Sequence, residues 1–316
     1  MTTFDVTTIG EGQIRLTCMQ GDRLVSARRL RLTAACSEAN VSGLLSQLGR
    51  KCSWASVLPK GDLSKRVLSE FRSVGVDVSN MVLTDHGRVA LYFMEPGEYP
   101  MPARVLYDRE HTPFRKMTIE TFDWESMLDT KVVFVTGITA ALTDNTAKVI
   151  RYFVDQAYER GIDIILDVNY RSMLWSPEDA KRVLAPIARM SKVVFCSRRD
   201  AQIIFNIEGE GAQVCQNLRN ELGVEHVVST DQIDGVYYST KDHTETFAVT
   251  PVPVVDRPGA GDSFVAGTIH GFLQGDIVQG IHYGQRTSKY ALTHHGDLTH
   301  ISPAELEIPV TSDIVR

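Results

Sequence analysis

The sequence predicts an α/β fold organised around a mostly parallel sheet covered on both faces. Three observations carry this. After residue 130, short continuous apolar runs alternate with amphipathic helical stretches. Apolar runs without a polar alternation are what strands buried on both faces look like. The helical stretches between them carry start and stop residues, and one of them opens on a run of small residues and a carboxylate, in VVDRPGAGDSFVAG (254–267).

Taken in order, KVVFVTG (131–137) reads as a buried strand. DNTAKVIRYFVDQAYERG (144–161) is a helix: Asp144 can cap it, Val149, Phe153 and Ala157 share one face, and Gly161 ends it. DIILDVN (163–169) is the next strand, and PEDAKRVLAPIARM (177–190) is helical with Pro177 at its start. KVVFCS (192–197), HVVST (226–230) and GVYYST (235–240) are strand-like. In such sheets ligands sit beyond the carboxyl ends of the strands. The first third is less regular. SEANVSGLLSQLG (37–49) is helical, whereas residues 13–33 and 87–109 read as β-ribbons. RVALYFME (88–95) and ARVLYDR (103–109) are expected to pair across the turn PGEYPMP. The expected organisation is a single domain over residues 1–316, with a lid from about 13–33 and 87–109 inserted in it.

Bulk properties narrow the function. The chain has 316 residues, 43% hydrophobic and 23% charged, which is ordinary for a globular enzyme. Its net charge of −6 argues against a nucleic-acid backbone binder. No apolar run approaches the ~18 residues of a membrane span, and the start MTTFDVTTIGEG has no signal-peptide pattern, so the expectation is a cytoplasmic protein without a membrane partner. Cys18, Cys36, Cys52, Cys196 and Cys215 form no close pair and suit reduced thiols.

VVDRPGAGDSFVAG raises the chemical question. VPVV (252–255) is expected to be a strand ending at Asp256, broken by Pro258 and Gly259, with a helix starting near Gly261. A helix start offers unpaired N–H groups and a partial positive charge, and glycines let a ligand approach the backbone, so the segment can cradle an anion. Asp262 in the first turn can take a proton from an attacking hydroxyl. Anion cradle and base together are the parts phosphoryl transfer needs. The plainer reading is a turn that merely starts a helix well. Two other phosphate motifs are absent: there is no G-x-x-x-x-G-K-[ST], and GEG (10–12) lacks a third glycine, with Arg15 in its place.

PGAGDSF resembles the signature of the ribokinase-like (PfkB) sugar kinases. IGEGQIRL (9–16), SEANV (37–41), ALYFMEPG (90–97), VLYDRE (105–110), DVNYRSMLW (167–175), VVDRPGAGDSF (254–264) and HHGD (294–297), in this order, resemble 2-keto-3-deoxygluconate kinases, to about residue 303. The resemblance implies a ribokinase-like three-layer α/β sandwich with a small β-sheet lid, and ATP with Mg2+. A sugar acid would sit between lid and sheet, its primary hydroxyl attacking the γ-phosphate. Carried over residue by residue, Asp262 is the base, and the amides of Gly259, Ala260 and Gly261 form the anion hole. Arg109 and Arg171 take the substrate carboxylate as planar forks. Tyr92 and Tyr107 line the pocket, Asn40 and Asp297 bind hydroxyls, and Glu11 either bonds the sugar or holds the lid. Asn169, Ser197 and Ser229 belong to the phosphate and nucleotide side, with Asp200 holding metal through water.

The chain departs from the pattern in three places. Ala35-Cys36 stands where many relatives have Gly-Gly beside the sugar, Ser197-Arg198-Arg199-Asp200 replaces an N-x-x-E motif, and TDQIDG (230–235) lacks a usual glycine. His294 and His295 lack a third metal ligand at sensible spacing and read as packing or surface residues. The leading expectation is therefore an ATP-dependent kinase producing the 6-phosphate of 2-keto-3-deoxygluconate. The alternatives are a related kinase for fructose, ribose or another keto-acid, and a sugar-binding regulator without catalysis. An exposed lid edge further suggests a homo-oligomer, a dimer through the lids.

Overall fold

A computed structural model describes residues 2–97 and 100–308; Glu98 and Tyr99, at the tip of the expected PGEYPMP turn, lie outside the described residues. In chain order the elements are β1 (Phe4–Ile9), β2 (Gln13–Cys18), β3 (Leu30–Ala35), α1 (Ser37–Gln47), β4 (Cys52–Ala55), β5 (Val57–Pro59), α2 (Asp62–Ser73) and β6 (Val82–Thr84). There follow β7 (Ala90–Glu95), β8 (Arg104–Asp108), the short α3 (Trp124–Met127), β9 (Thr130–Thr136), the one-turn α4 (Gly137–Ala140) and α5 (Asp144–Glu159). Next come β10 (Asp163–Asp167), α6 (Pro177–Met190), β11 (Val193–Ser197), α7 (Arg198–Phe205), α8 (Gly211–Leu222) and β12 (His226–Asp231). The last elements are β13 (Gly235–Ser239), β14 (Thr244–Phe247), α9 (Ala260–Phe272) and α10 (Ile277–Leu292).

Eight strands form the large sheet, in the order β14-β13-β12-β11-β10-β9-β1-β4. It is parallel from β4 to β12 and antiparallel at β13 and β14. Alternation along each strand splits its side chains between two layers. Val133 and Val135 face the core under α5, α6 and α8, whereas Val132 and Phe134 face the core under α1, α9 and α10. The result is a three-layer α/β/α sandwich. A second, four-stranded sheet has the order β3-β2-β7-β8. Its β7–β8 hairpin pairs Tyr92 with Tyr107 in register, and β2 and β7 run parallel. A third core, with Trp54, Phe71 and Ile14, lies between this sheet and α2.

Two local expectations need correction. The cap of α5 is Thr143, in extended conformation, whose hydroxyl accepts the N–H of Thr146; Asp144 instead sits in the first turn, where its charge suits the helix dipole. Residues 252–255 form no strand. Pro251 and Pro253 have no N–H to donate to a ladder, and the chain is tethered only at Val255 and Asp256, both bonding the carbonyl of Leu292.

Candidate active site

The loops after β1, β9, β10 and β11 converge with the N-termini of α1 and α9 at the carboxyl edge of the large sheet. Gly259 caps α9 with φ +88°, and a Cβ there would lie 2.0 Å from the carbonyl oxygen of Asp297, so backbone conformation and space both demand glycine. Two residues on, a Cβ at Gly261 would meet nothing within 4 Å. The first turn of α9 therefore presents its backbone to open space on that side.

Asp262, in the same turn, is held from α1. Ser37 Oγ donates to one carboxylate oxygen at 2.5 Å and Asn40 Nδ2 to the other at 2.7 Å. Asn169 Nδ2 donates in turn to Ser37 Oγ at 3.2 Å, from a residue strained into φ +38° at the end of β10. Burial pushes the Asp262 carboxyl up to about 6, against the pull of the Asn40 and Ser37 hydrogen bonds. Asp167, at the carboxyl end of β10, is pushed to about 7, by burial first and the nearby Asp262 charge second. Sequence reasoning had given Asp167 no role, although it opens DVNYRSMLW; the signal was a carboxylate ending an otherwise apolar strand. Such a pair, one carboxyl in the first turn of α9 and one at the end of β10, can hold and release a proton near neutral pH.

The other expected residues divide sharply. Glu11 is buried and accepts Arg109 Nε at 2.8 Å and Thr112 Oγ1 at 2.5 Å. It therefore ties the segment after β8 to the loop after β1, and Arg109 is engaged there. Asp297 is buried, with one oxygen bonded by Arg15 Nη1 at 2.7 Å and the other by Tyr92 Oη at 2.6 Å, so each oxygen already has one protein donor. Arg15 itself has no exposed side-chain surface and reaches Asp256 with its other amino group at 2.7 Å. A buried guanidinium needs counter-charges, and these two carboxylates supply them. Sequence reasoning missed Arg15; the signal was an arginine inside the otherwise half-apolar strand QIRLTC.

Ser229 is also corrected. It is fully buried in the middle of β12, its hydroxyl without a partner among the described residues, and it cannot reach a nucleotide on the surface. Ser197 caps α7, accepting the N–H of Asp200. Gln232, where the missing glycine was noted, takes the left-handed conformation (φ +51°) that glycine adopts freely. Ala35 packs with Tyr92 and Met94. The Cys36 thiol points into the core with Trp54 and donates to Glu38 at 3.3 Å, and its backbone is extended (φ −176°), a conformation any residue adopts. Contrary to the expectation for this departure, neither side chain projects into the open cleft. His294 bonds the carbonyl oxygens of Ala291 and Leu298 through its two ring nitrogens.

A cavity of 590 Å³ lies between the four-stranded sheet and the loops after β10 and β11. Tyr107, Arg109 and Arg171 line it, as do Arg199 and Asp200. Arg171 is exposed and, among the described residues, donates to the carbonyl of Tyr170. Burial raises the Asp200 carboxyl, opposed by its Ser197 hydrogen bond and by Arg171 and Arg199. Among the described residues no three metal-ligating side chains enclose an ion. One or two carboxylates nonetheless suit Mg2+, which keeps several waters and shares substrate phosphates. Asp200 and Asp167 fit that description.

With this geometry in place, comparison with known proteins is direct. The pfkB family carbohydrate kinase profile matches residues 3–304. A 2-dehydro-3-deoxygalactonokinase from Haloferax volcanii is 31% identical over 309 residues, covering 96% of each chain. The crystal structure of 2-dehydro-3-deoxygluconokinase from Thermotoga maritima superposes with a TM-score of 0.89 at 27% identity, covering 96% of this chain and 97% of that one. A ribokinase-type structure from Escherichia coli, in complex with ATP and Mg2+, has a TM-score of 0.87 at 17% identity, covering 96% of this chain and 98% of the other. Similarity of this extent, on a ribokinase-like α/β fold with a small separate sheet, means that the chain belongs to the pfkB family of carbohydrate kinases and is a sugar kinase related to those of 2-keto-3-deoxy sugar acids.

Proposed function

We propose that the protein transfers the γ-phosphoryl group of ATP to the primary hydroxyl of 2-keto-3-deoxygluconate, giving the 6-phosphate. The observation that carries the sugar-acid reading is Arg171: an exposed guanidinium, without an ion pair among the described residues, lining the cavity between the four-stranded sheet and the loop after β10. A planar, free guanidinium is matched by a carboxylate and wasted on a neutral sugar.

In this reading Asp262 accepts the proton of the attacking hydroxyl. Its raised pKa, about 6, places it near the working range of a base at neutral pH. Ser37 and Asn40 hold the carboxylate in one orientation, and Asn169 fixes Ser37 from the phosphate side. The amides of Gly259, Ala260 and Gly261 bind the charge that develops on the transferring group, and open space at Gly261 supports that role. Mg2+, when bound, neutralises phosphate charge; Asp200, through water, and Asp167 would hold it.

The four-stranded sheet acts as a lid, tethered by the Glu11–Arg109 and Arg15–Asp297 pairs. Tyr107 lines the sugar side of the cavity. Leu30, Leu32 and Leu106 on the sheet are exposed apolar residues, which supports a homodimer through the lids in a cytoplasmic enzyme. Light scattering that returns only monomer would remove the dimer.

A second reading is phosphorylation of the C4 epimer, 2-keto-3-deoxygalactonate, favoured by the Haloferax relative. ADP release is measured with ATP, Mg2+ and both keto-deoxy acids, gluconate, fructose and ribose. Selective turnover of 2-keto-3-deoxygluconate supports the proposal, and selective turnover of the galactonate epimer supports the second reading. Turnover of only fructose or ribose removes the carboxylate argument. Ligand-induced stabilisation without ADP release identifies a binding regulator.

A further inference from the structure

Two buried side-chain amide oxygens have no hydrogen-bond partner among the described residues: Oδ1 of Asn40 and Oε1 of Gln13. Asn40 already belongs to the site, because its Nδ2 holds Asp262 at 2.7 Å. Gln13 opens β2 and is only 7% exposed. A buried acceptor left unpaired forfeits the hydrogen bond it would make in water, so such an oxygen points to a partner that binds there.

Strand alternation fixes where Gln13 faces. Ile14 lies in the core with Trp54 and Phe71, so Gln13 and Arg15 share the opposite face of the lid. Arg15 reaches from that face to Asp256 and Asp297, beside the turn that opens α9. Tyr92 stands opposite Arg15, and Tyr107, which lines the 590 Å³ cavity, stands opposite Tyr92. Gln13 itself pairs with Ala35 on one side and Ala90 on the other, so neither strand neighbour covers its amide with a large side chain. Ala35 leads through Cys36 into α1, whose Ser37 and Asn40 hold Asp262. Gln13 therefore stands on the sugar-facing side of the lid, at the end that joins α1.

The chemistry of the unpaired atoms identifies what they take. An amide oxygen only accepts, so an ionised phosphate or carboxylate, with no proton to give, cannot satisfy it. A hydroxyl can. On the same face Arg15 Nε is a buried donor without a partner among the described residues, and a hydroxyl also accepts. The primary hydroxyl is engaged by Asp262 in the reading above, which leaves the secondary ones. We infer that Gln13 is a substrate-binding residue whose amide oxygen accepts a hydrogen bond from a secondary hydroxyl of the sugar acid. The inference rests on the sugar-kinase reading and gives the substrate a polar anchor separate from the carboxylate that Arg171 takes.

Gln13→Met keeps the length and flexibility of the side chain and removes the oxygen. The KM for the sugar acid should rise about 3- to 15-fold, with the KM for ATP within about twofold. Because no protein partner of that oxygen is lost, the thermal midpoint of the sugar-free enzyme should hold or rise, whereas a merely structural residue would lower it. Gln13→Leu repeats both measurements with a second apolar side chain. Analogues of the preferred substrate that each lack one secondary hydroxyl locate the partner: for one of them the Gln13→Met penalty should shrink to less than about twofold. An unchanged sugar KM, which leaves the oxygen to water alone, overturns the assignment, as does an equal penalty on every analogue. So does a raised KM for ATP, or a midpoint lowered by more than about 3 °C in both variants. If the wild type prefers fructose or ribose, the sugar-acid reading fails, yet the same comparison on that sugar still decides Gln13. A wild type that neither phosphorylates nor binds any sugar of the panel ends both.

Discussion

Arg15 on β2 lies 2.7 Å from Asp297, and the carbonyl of that same Asp297 is the atom against which Gly259 packs. One buried ion pair thus links the four-stranded sheet to the turn that opens α9. Asp256, the second partner of Arg15, also accepts the N–H groups of Arg257 and Gly296, so both chain segments flanking the turn hang on one guanidinium. Removing one member of a buried pair leaves the other charge unpaired, at about 3–5 kcal/mol. Arg15→Met is expected to lower stability by that order in urea unfolding. A loss under about 1 kcal/mol would show that the pair is not a structural link.

Gly259 and Gly261 should respond differently to the same added methyl group. Gly259→Ala meets the Asp297 carbonyl and a left-handed backbone, so it is expected to lower stability by roughly 1–3 kcal/mol and to reduce turnover as well. Gly261→Ala meets no atom of the protein and should leave the thermal midpoint within about 2 °C. Its effect belongs on kcat, because the methyl group occupies space next to the amide proposed to bind the transferring group. Thermal melts and initial rates on the two variants check the contrast; a Gly261→Ala enzyme with wild-type kcat removes that amide from the anion hole.

Asp262→Asn is expected to reduce kcat by at least about 10³-fold with sugar binding retained. In the wild type, kcat/KM should fall as pH drops below 6–7, because the base must be ionised and Asp262 and Asp167, at about 6 and about 7, titrate as a coupled pair. Stability runs the other way. The folded-state pKa of Asp262 lies above the ordinary aspartate value of 3.8, so the folded protein binds the proton more tightly than the unfolded chain. That contribution is fully present below about 3.8 and is lost as pH rises through about 6. At pH 8 the ionised carboxylate therefore costs stability, and Asp262→Asn should be more stable than the wild type by on the order of 1–3 kcal/mol, with the margin shrinking toward pH 5. Denaturant unfolding at the two pH values decides it; a less stable variant at pH 8 would contradict the direction.

Cys36→Gly restores the residue many relatives carry and tests whether this departure shapes the substrate pocket. The thiol lies in the core with Trp54 and Ala39, not in the cleft. Its removal should cost about 1–3 kcal/mol through the cavity it leaves and the backbone freedom glycine adds. The ranking of sugars in the turnover panel should not change. A switch in preferred sugar would return Cys36 to the list of specificity residues.

Much of the fold was readable from local chemistry. Parallel strands such as KVVFVTG carry an unbroken apolar run, Val132–Val135, because both faces are covered, and α6 was legible from Pro177 at its start. What failed locally was the expected strand at 252–255, whose valines imitate a strand while its prolines remove the donors a ladder needs. The cap of α5 failed more narrowly, because Thr143 and Asp144 are both good capping residues and backbone geometry chose between them.

The sequence by itself determined the α/β layering, the glycine-opened start of α9 and the carboxylate in its first turn. These depend on residue type and on spacing along a few neighbouring positions. Tertiary structure alone decided which charges are free. Arg109 and Arg171 look alike in their motifs, yet Glu11, 98 positions away from Arg109, neutralises only one of them. Asp297 reads from its motif as a free carboxylate, yet Arg15, 282 positions away, is bonded to it. Coulombic pairing and burial depend on separation in space, which no local pattern encodes, so the folded chain, not its motifs, pairs Arg109 with a carboxylate and leaves Arg171 without one among the described residues.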